Sequence, residues 1–194
     1  MSYEPVGTRE LAAVVTFLDM RERPAVEVPR SLLRLRRIER PGVGTYRDLF
    51  RLVGAPWLWF SRLIMDDAKL ASIIQHPKVE LFAVEDDARG DAGMIELDFR
   101  ERSECELAFI GLVPELSGKG HGKWLLAEAV TRAWRDGVTR VHVHTCSLDH
   151  PAALSAYRRA GFVPFKRAIE RFPDPRLLDI LPRDCAPRIP LIDR

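Results

Sequence analysis

Apolar residues recur along the chain in two periods, and each change of period marks a predicted element. Residues 11 to 19 (LAAVVTFLD) are apolar and β-branched, which predicts a strand, and Pro24 and Pro29 place a loop after it. Leu32 to Ile38 alternates apolar and basic positions, the pattern of a half-exposed strand that would pair with the first as a hairpin. Tyr46, Leu49, Phe50 and Val53 then share one helical face, ended by Gly54 and Pro56. A second short helix is expected to carry Trp57, Trp59, Phe60, Leu63 and Ile64. A third, capped by Asp66 or Asp67, would turn Leu70, Ile73 and Ile74 inward and end at His76-Pro77. From Val79 the period changes to that of a strand, and residues 79 to 85, 93 to 99 and 104 to 113 read as a three-stranded antiparallel meander.

Beyond the meander, Trp124, Leu125, Leu126, Ala129, Val130, Ala133 and Trp134 form an apolar helical stripe that stops at Asp136-Gly137. Val141 to Thr145 alternates as a strand, and a helical crossover makes it parallel to the strand before the helix. A short helix follows, with Asp149 or His150 as its cap, Pro151 in its first turn, and Ala153, Leu154, Tyr157 and Ala160 on one face, closed by Gly161. Phe165 to Phe172 is the last strand. The proline-rich end, residues 173 to 194, reads as an irregular tail on the surface. These elements amount to one α/β domain over residues 1 to 194, with a mixed, mostly antiparallel sheet of about seven strands flanked by helices.

Composition narrows the function classes. At 46% hydrophobic and 30% charged the chain is an ordinary globular sequence, and 194 residues suffice for one substantial core. A net charge of only +2 removes the electrostatic case for nucleic acid, and the cluster Arg34, Arg36, Arg37 and Arg40 reads as a solvated strand edge. Cys105, Cys146 and Cys185 are odd in number and widely spaced, so neither a disulfide framework nor a zinc site is indicated, and a reducing cytoplasm is expected. With no basic leader before an apolar core and no run of about 18 apolar residues, no membrane partner is expected.

The chemistry concentrates between Glu106 and Lys123, where an apolar strand, a Pro-led turn and glycines at 118, 120 and 122 run into a helix start. Unpaired backbone N–H groups and the positive end of the helix dipole make such a turn a phosphate-binding element. A nucleotide P-loop fails on spacing, because Trp124 follows Gly122-Lys123 where a Ser or Thr must hold magnesium. A dinucleotide fingerprint is weak too, since the glycines run G-x-G-x-G and no acidic residue stands at the ribose position.

The segment VPELSGKGHGKWLL, followed downstream by ALSAYRRAGF, resembles the GNAT superfamily of acyl-CoA-dependent N-acetyltransferases, most closely over residues 93 to 166. The resemblance implies acetyl-CoA as cosubstrate, held without a metal in the splay between two parallel strands. It implies that the loop Ser117, Gly118, Lys119, Gly120, His121, Gly122 and Lys123 holds the pyrophosphate, and that the strand edge at Gly111, Leu112 and Val113 binds the pantetheine arm. Tyr157, with Gly161 and Phe162, matches the family's general acid. Two positions depart from the pattern: Ser117 replaces an Arg or Gln, leaving Lys119 and Lys123 to supply charge, and His150 replaces an Asn that touches the CoA arm.

Acetyl transfer to an amine needs a base for the ammonium proton and a donor for the leaving thiolate. Glu106 matches the strand position of a catalytic glutamate in some members and is the expected base, with Glu96 on the neighbouring strand as second choice. Tyr157 is the expected acid. His142 and His144 share a strand face but lack a third ligand for a metal, and Cys146 reads as a structural thiol. Trp57, Trp59 and Phe60 are core by default and fall in the region of the acceptor wall. The expected activity is direct acetyl transfer to a primary amine of a small molecule, with a homodimer left open. A protein or peptide acceptor, or a module that binds acyl-CoA without turnover, are the alternatives.

Overall fold

The computed structural model describes residues 3 to 193. Seven strands, β1 (Glu10–Met20), β2 (Arg34–Ile38), β3 (Val79–Asp86), β4 (Gly90–Asp98), β5 (Glu104–Leu112), β6 (Arg140–Cys146) and β7 (Val163–Pro173), form one sheet in the order β2-β3-β4-β5-β6-β1-β7. Four helices flank it: α1 (Val43–Gly54), α2 (Asp67–Ile74), α3 (His121–Ala133) and α4 (Ala153–Arg159). Every pairing is antiparallel except β5 with β6, which the α3 crossover makes parallel, as the sequence predicts. One core cluster joins Leu97, Leu107, Val141 and Val143 to Leu125, Ala129 and Val130 of α3 and to Tyr157 of α4. A second, on the opposite face, packs Tyr46, Phe50 and Val53 of α1 with Leu70 and Ile74 of α2 against Leu81 and Met94.

The expected β1–β2 hairpin does not form. β1 buries Ala13, Val15, Leu18 and Met20 and lies between β6 and β7. β2 is an edge strand on β3, and its basic side chains meet acids there: Arg34 pairs with Asp87, Arg36 with Glu85 and Asp91, and Arg37 with Glu80. A charged strand gains more at a solvated edge than in the interior, and the arginine cluster is spent in this way.

The expected helix over Trp57 to Ile64 is also absent. Ala55–Trp57 is a single 3-10 turn, and Leu58 adopts a left-handed backbone (φ 59°) that stops it. The reversal lays Trp59 over Gly54, where a Cβ would stand 2.5 Å from the indole. Asp66 caps α2 as expected, accepting from the Lys69 N–H at 2.7 Å. α4 starts later than predicted, at Ala153. Asp149 turns its carboxylate back to the Cys146 N–H and the Thr145 hydroxyl, both at 2.8 Å, and His150 Nδ1 accepts from the Ala152 N–H at 3.1 Å. Pro151 therefore sits in the turn before the helix, and Leu154 faces solvent.

The C-terminal segment is irregular, but it is not merely laid on the surface. Leu181 and Ala186 are buried with Ala13, Leu58 and Leu148 in a third cluster, which also gathers Phe60 and Phe172. Asp174 and Arg176 are buried as a pair at 2.7 Å, and Arg176 also donates to the Ile189 carbonyl at 2.9 Å. One guanidinium thus satisfies backbone that has no strand or helix partner.

Candidate active site

Two irregularities in β5 build the site. Its parallel ladder with β6 covers only Glu104 opposite Arg140, Cys105 opposite Val141 and Glu106 opposite His142, and beyond these the strands separate. On the other side, the register with β4 slips between Glu96 and Leu97, which leaves Ala108 as an extra residue. The bulge swaps the faces of the strand. Leu107 packs on the α3 side, Phe109 with the α1–α2 cluster, and Ile110 and Leu112 on the α3 side again. Gly111, on the strand edge expected to bind the pantetheine arm, lacks a side chain for a packing reason: a Cβ there would lie 2.7 Å from Val53 and 3.3 Å from Trp59.

A cleft of about 840 Å³ passes through the gap between the strands. On the α3–α4 side it is lined by Ser117, Gly118, Gly120, Gly122 and Lys123, by Ala153, Ala156, Tyr157 and Arg159, and by the β5 edge through Gly111 and Leu112. Gly118 (φ 75°) and Gly120 (φ 83°) take left-handed conformations that wrap the chain onto the start of α3. Among the described residues, the amides of Gly118, Lys119 and Gly120 make none of the loop hydrogen bonds, and those of His121 and Gly122 precede the first donor of the turn, Lys123 N–H to the Gly120 carbonyl at 3.1 Å. This run of unspent N–H groups at a helix N-terminus suits a phosphate group. Of the expected loop residues, Lys119 and His121 do not line the cleft. Nor does Val113, whose N–H is already donated to the Ala92 carbonyl at 2.9 Å. His150 lines it and stacks edge-on against Trp57 at 5.1 Å.

Strand alternation turns Glu106 and His144 to the other face, away from Val141 and Val143. Glu106 Oε1 lies 3.5 Å from His144 Nδ1, long for a hydrogen bond but within reach of an ion pair, and both side chains line the cleft. The contact with His144 holds the Glu106 carboxyl below its ordinary range against an opposing effect of burial, and the charge of His142 acts in the same direction. The same contact, opposed by burial and helped by the charges of Glu106, Asp149 and Glu170, raises His144. His142 turns to Glu104 instead, at 3.5 Å, so the two histidines serve different carboxylates.

Glu96 stands differently. It is fully buried, accepts from the Tyr46 hydroxyl at 2.5 Å and from Arg62 at 2.6 Å, and does not line the cleft. Burial pushes its carboxyl up despite Arg62. Tyr157 is 9% exposed, packs edge-on against Phe162, and its hydroxyl takes part in none of the side-chain hydrogen bonds of the described residues. Burial, helped by the charge of Asp149, drives its phenol well above the ordinary value, so it stays protonated and has a proton to donate. Cys146 also lines the cleft, but burial pushes its thiol up to about 11, which leaves little thiolate for nucleophilic chemistry.

The structure adds residues that sequence reasoning did not single out. Trp57, Trp59 and Phe60 do line the cleft, joined by Arg62, Met65, Asp98, Arg100, Phe109, Glu170 and Phe172. Trp59 also donates its indole N–H to Asp149 at 3.2 Å, which ties this wall to the β6–α4 turn. His144 is reached through the parallel register: with Glu106 opposite His142, the next same-face residue of β6 is its diagonal neighbour. Arg62 and Arg100 carried no signal in the sequence.

Known proteins resemble the chain at the level of fold. A GCN5-related N-acetyltransferase from Sphaerobacter thermophilus aligns with a TM-score of 0.61 at 19% identity, over 84% of this chain and 52% of that one. One from Kribbella flavida gives 0.54 at 17%, over 88% and 62%. An IAA acetyltransferase from Bacillus cereus gives 0.52 at 22%, over 69% and 79%. The chain therefore spans only about half to two thirds of the length of the first two. A search of curated proteins found no match. The family model for the acetyltransferase (GNAT) family matches residues 46–162, which run from α1 through the bulged strand, the glycine loop and Tyr157 to Phe162. By that match, and by the split parallel pair with its glycine loop, this chain belongs to the GNAT acetyltransferase family.

Proposed function

We propose that the chain is an N-acetyltransferase that acetylates a primary amine of a small molecule by direct attack in a ternary complex. The observation that carries this reading is one cleft that holds a run of free loop amides at one end and the Glu106–His144 pair at the other, with Tyr157 between the elements that form it. The residues fit the cofactor. The loop at Ser117, Gly118, Gly120, Gly122 and Lys123 would take the pyrophosphate, and the β5 edge at Gly111 and Leu112 would take the pantetheine amides. When bound, acetyl-CoA supplies an activated acyl thioester.

The remaining chemistry belongs to this chain. Glu106, held by His144 at 3.5 Å, accepts the ammonium proton so that the amine attacks as a free base. Tyr157 donates its phenolic proton to the departing sulfur. An aromatic wall of Trp57, Trp59 and Phe60, backed by the packed C-terminal segment, suits a compact acceptor.

Thiol release across a panel of amines tests the activity, with CoA-induced stabilisation measured alongside. A ligand at 100 times its Kd adds about 2.7 kcal/mol to stability. Tyr157→Phe is expected to lower kcat about 100-fold while the CoA-induced shift in Tm persists. An unchanged rate removes Tyr157 from the mechanism, and no Tm shift with CoA refutes the reading altogether.

A further inference from the structure

Two carboxylate–guanidinium pairs stand at the acceptor half of the cleft, and their hydrogen-bonding capacity is unequally used. Glu96 has both oxygens engaged, one by Tyr46 and one by Arg62. Asp98 is engaged by Arg100 through Nε at 2.8 Å and Nη2 at 2.6 Å, and by the Arg100 backbone N–H at 2.9 Å. The donors are not used up. Arg62 is only 8% exposed, and among the described residues its Nη1 has only the Met65 sulfur at 4.0 Å. Arg100 Nη1 makes none of the side-chain hydrogen bonds of the described residues. Both arginines line the cleft, and the Arg62 guanidinium is braced over the Phe109 ring at 5.2 Å. The two strands bring this cluster to the base, since Asp98 is the cross-strand partner of Glu106.

A buried guanidinium with unused donors is complementary to a group that only accepts. We infer that the acceptor is a free amino acid with an apolar side chain. Its carboxylate is received by Arg62 and Arg100, its amine is presented to Glu106 and His144, and its side chain lies against Trp59 and Phe60. The assignment rests on the N-acetyltransferase reading and adds the substrate class to it.

The test uses leucine, methionine, phenylalanine and tryptophan, each beside its amide and its decarboxylated amine, with thiol release as the readout and the CoA-induced Tm shift as a separate measurement. The expected result is a kcat/KM at least tenfold higher for one or more acids than for the matching amide and amine. Arg100→Gln should collapse that ratio toward unity by raising KM for the acid. Arg62→Lys, which keeps a charge opposite Glu96 but loses the planar fork, should reduce it as well. If CoA shifts Tm and the amides or amines react as well as the acids, or if no acid reacts, the carboxylate assignment is overturned while the cofactor site stands. A ratio unchanged in both variants overturns it equally. Without a CoA shift, the N-acetyltransferase reading itself falls and takes this inference with it.

Discussion

The two halves of the cleft are built from different material. The half at α3 is made of main chain: a turn with left-handed glycines, the free amides at a helix N-terminus and a strand edge. The half at Arg62 and Glu106 is made of side chains gathered from residues 57 to 65, from β4, β5 and β6, and from β7. Backbone donors come with the conformation, so any sequence that adopts the turn keeps them, and the turn leaves a local pattern of glycines. Side-chain sites depend on packing between distant segments and leave no local pattern. The contrast also concerns stability. Glycine positions are exposed and open, with nothing within 4 Å of a Cβ at Gly118, Gly120 or Gly122. Glu96 and Tyr46 are sealed in the core, and Arg62 runs from Glu96 to the cleft wall.

Glu96 is where the contrast faces its hardest test. Glu96→Leu leaves Arg62 as an unpaired buried charge and deprives the Tyr46 hydroxyl of its acceptor, and a loss of about 3–5 kcal/mol in denaturant unfolding is expected. A loss within about 0.5 kcal/mol, the range of ordinary surface substitutions, would mean that the acceptor half is not structurally committed. In the cofactor half, Gly120→Ala forces a side chain into the left-handed region and should cost about 1–2 kcal/mol. Gly122→Ala lies inside the first turn of α3 and should raise apo stability by about 0.5 kcal/mol. It should still reduce the CoA-induced Tm shift, because a methyl group enters the space in front of the amides. Separating apo stability from ligand-induced stability is what distinguishes a backbone site from a side-chain one.

The Glu106–His144 pair gives the smallest effect. Because the folded pKa of Glu106 is lowered, its contribution is present above the unfolded carboxyl value and is lost as pH falls through the folded one. Because that of His144 is raised, its contribution is present below the ordinary 6.5 and is lost as pH rises through the folded value. The pair therefore stabilises most between the ordinary carboxyl value and 6.5. With side chains 34% and 50% exposed, solvent screening holds the amount below about 1 kcal/mol. Unfolding of the native chain and of Glu106→Gln across pH should differ most in that window and converge on both sides of it. A constant difference would show that the pair is not ionised.

The same division explains what could be read in advance. β3, β4 and β5 were predictable because alternation and short turns are local, and their antiparallel pairing follows from adjacency in the chain. β1 was recognisable as a strand, but its partners were not, because pairing with β6 and β7 joins residues more than a hundred positions apart. The aromatic run at Trp57 to Phe60 read as a helix because its spacing is helical, and a left-handed Leu58 has no reliable mark in the sequence. Tyr157 was identified through a motif. Its isolation from any hydrogen-bond partner needed the fold.

By itself, the sequence determined most of the elements, the parallel crossover and the glycine turn, since each depends on local backbone preference and on periodic burial over a few residues. The tertiary structure alone decided that the parallel pair separates after Glu106 and that Ala108 bulges. It also decided that His144 meets the expected base, and that Arg62 and Arg100 line the same cleft. Those outcomes are set by which distant segments share a core, and one-dimensional periodicity carries no information about that choice.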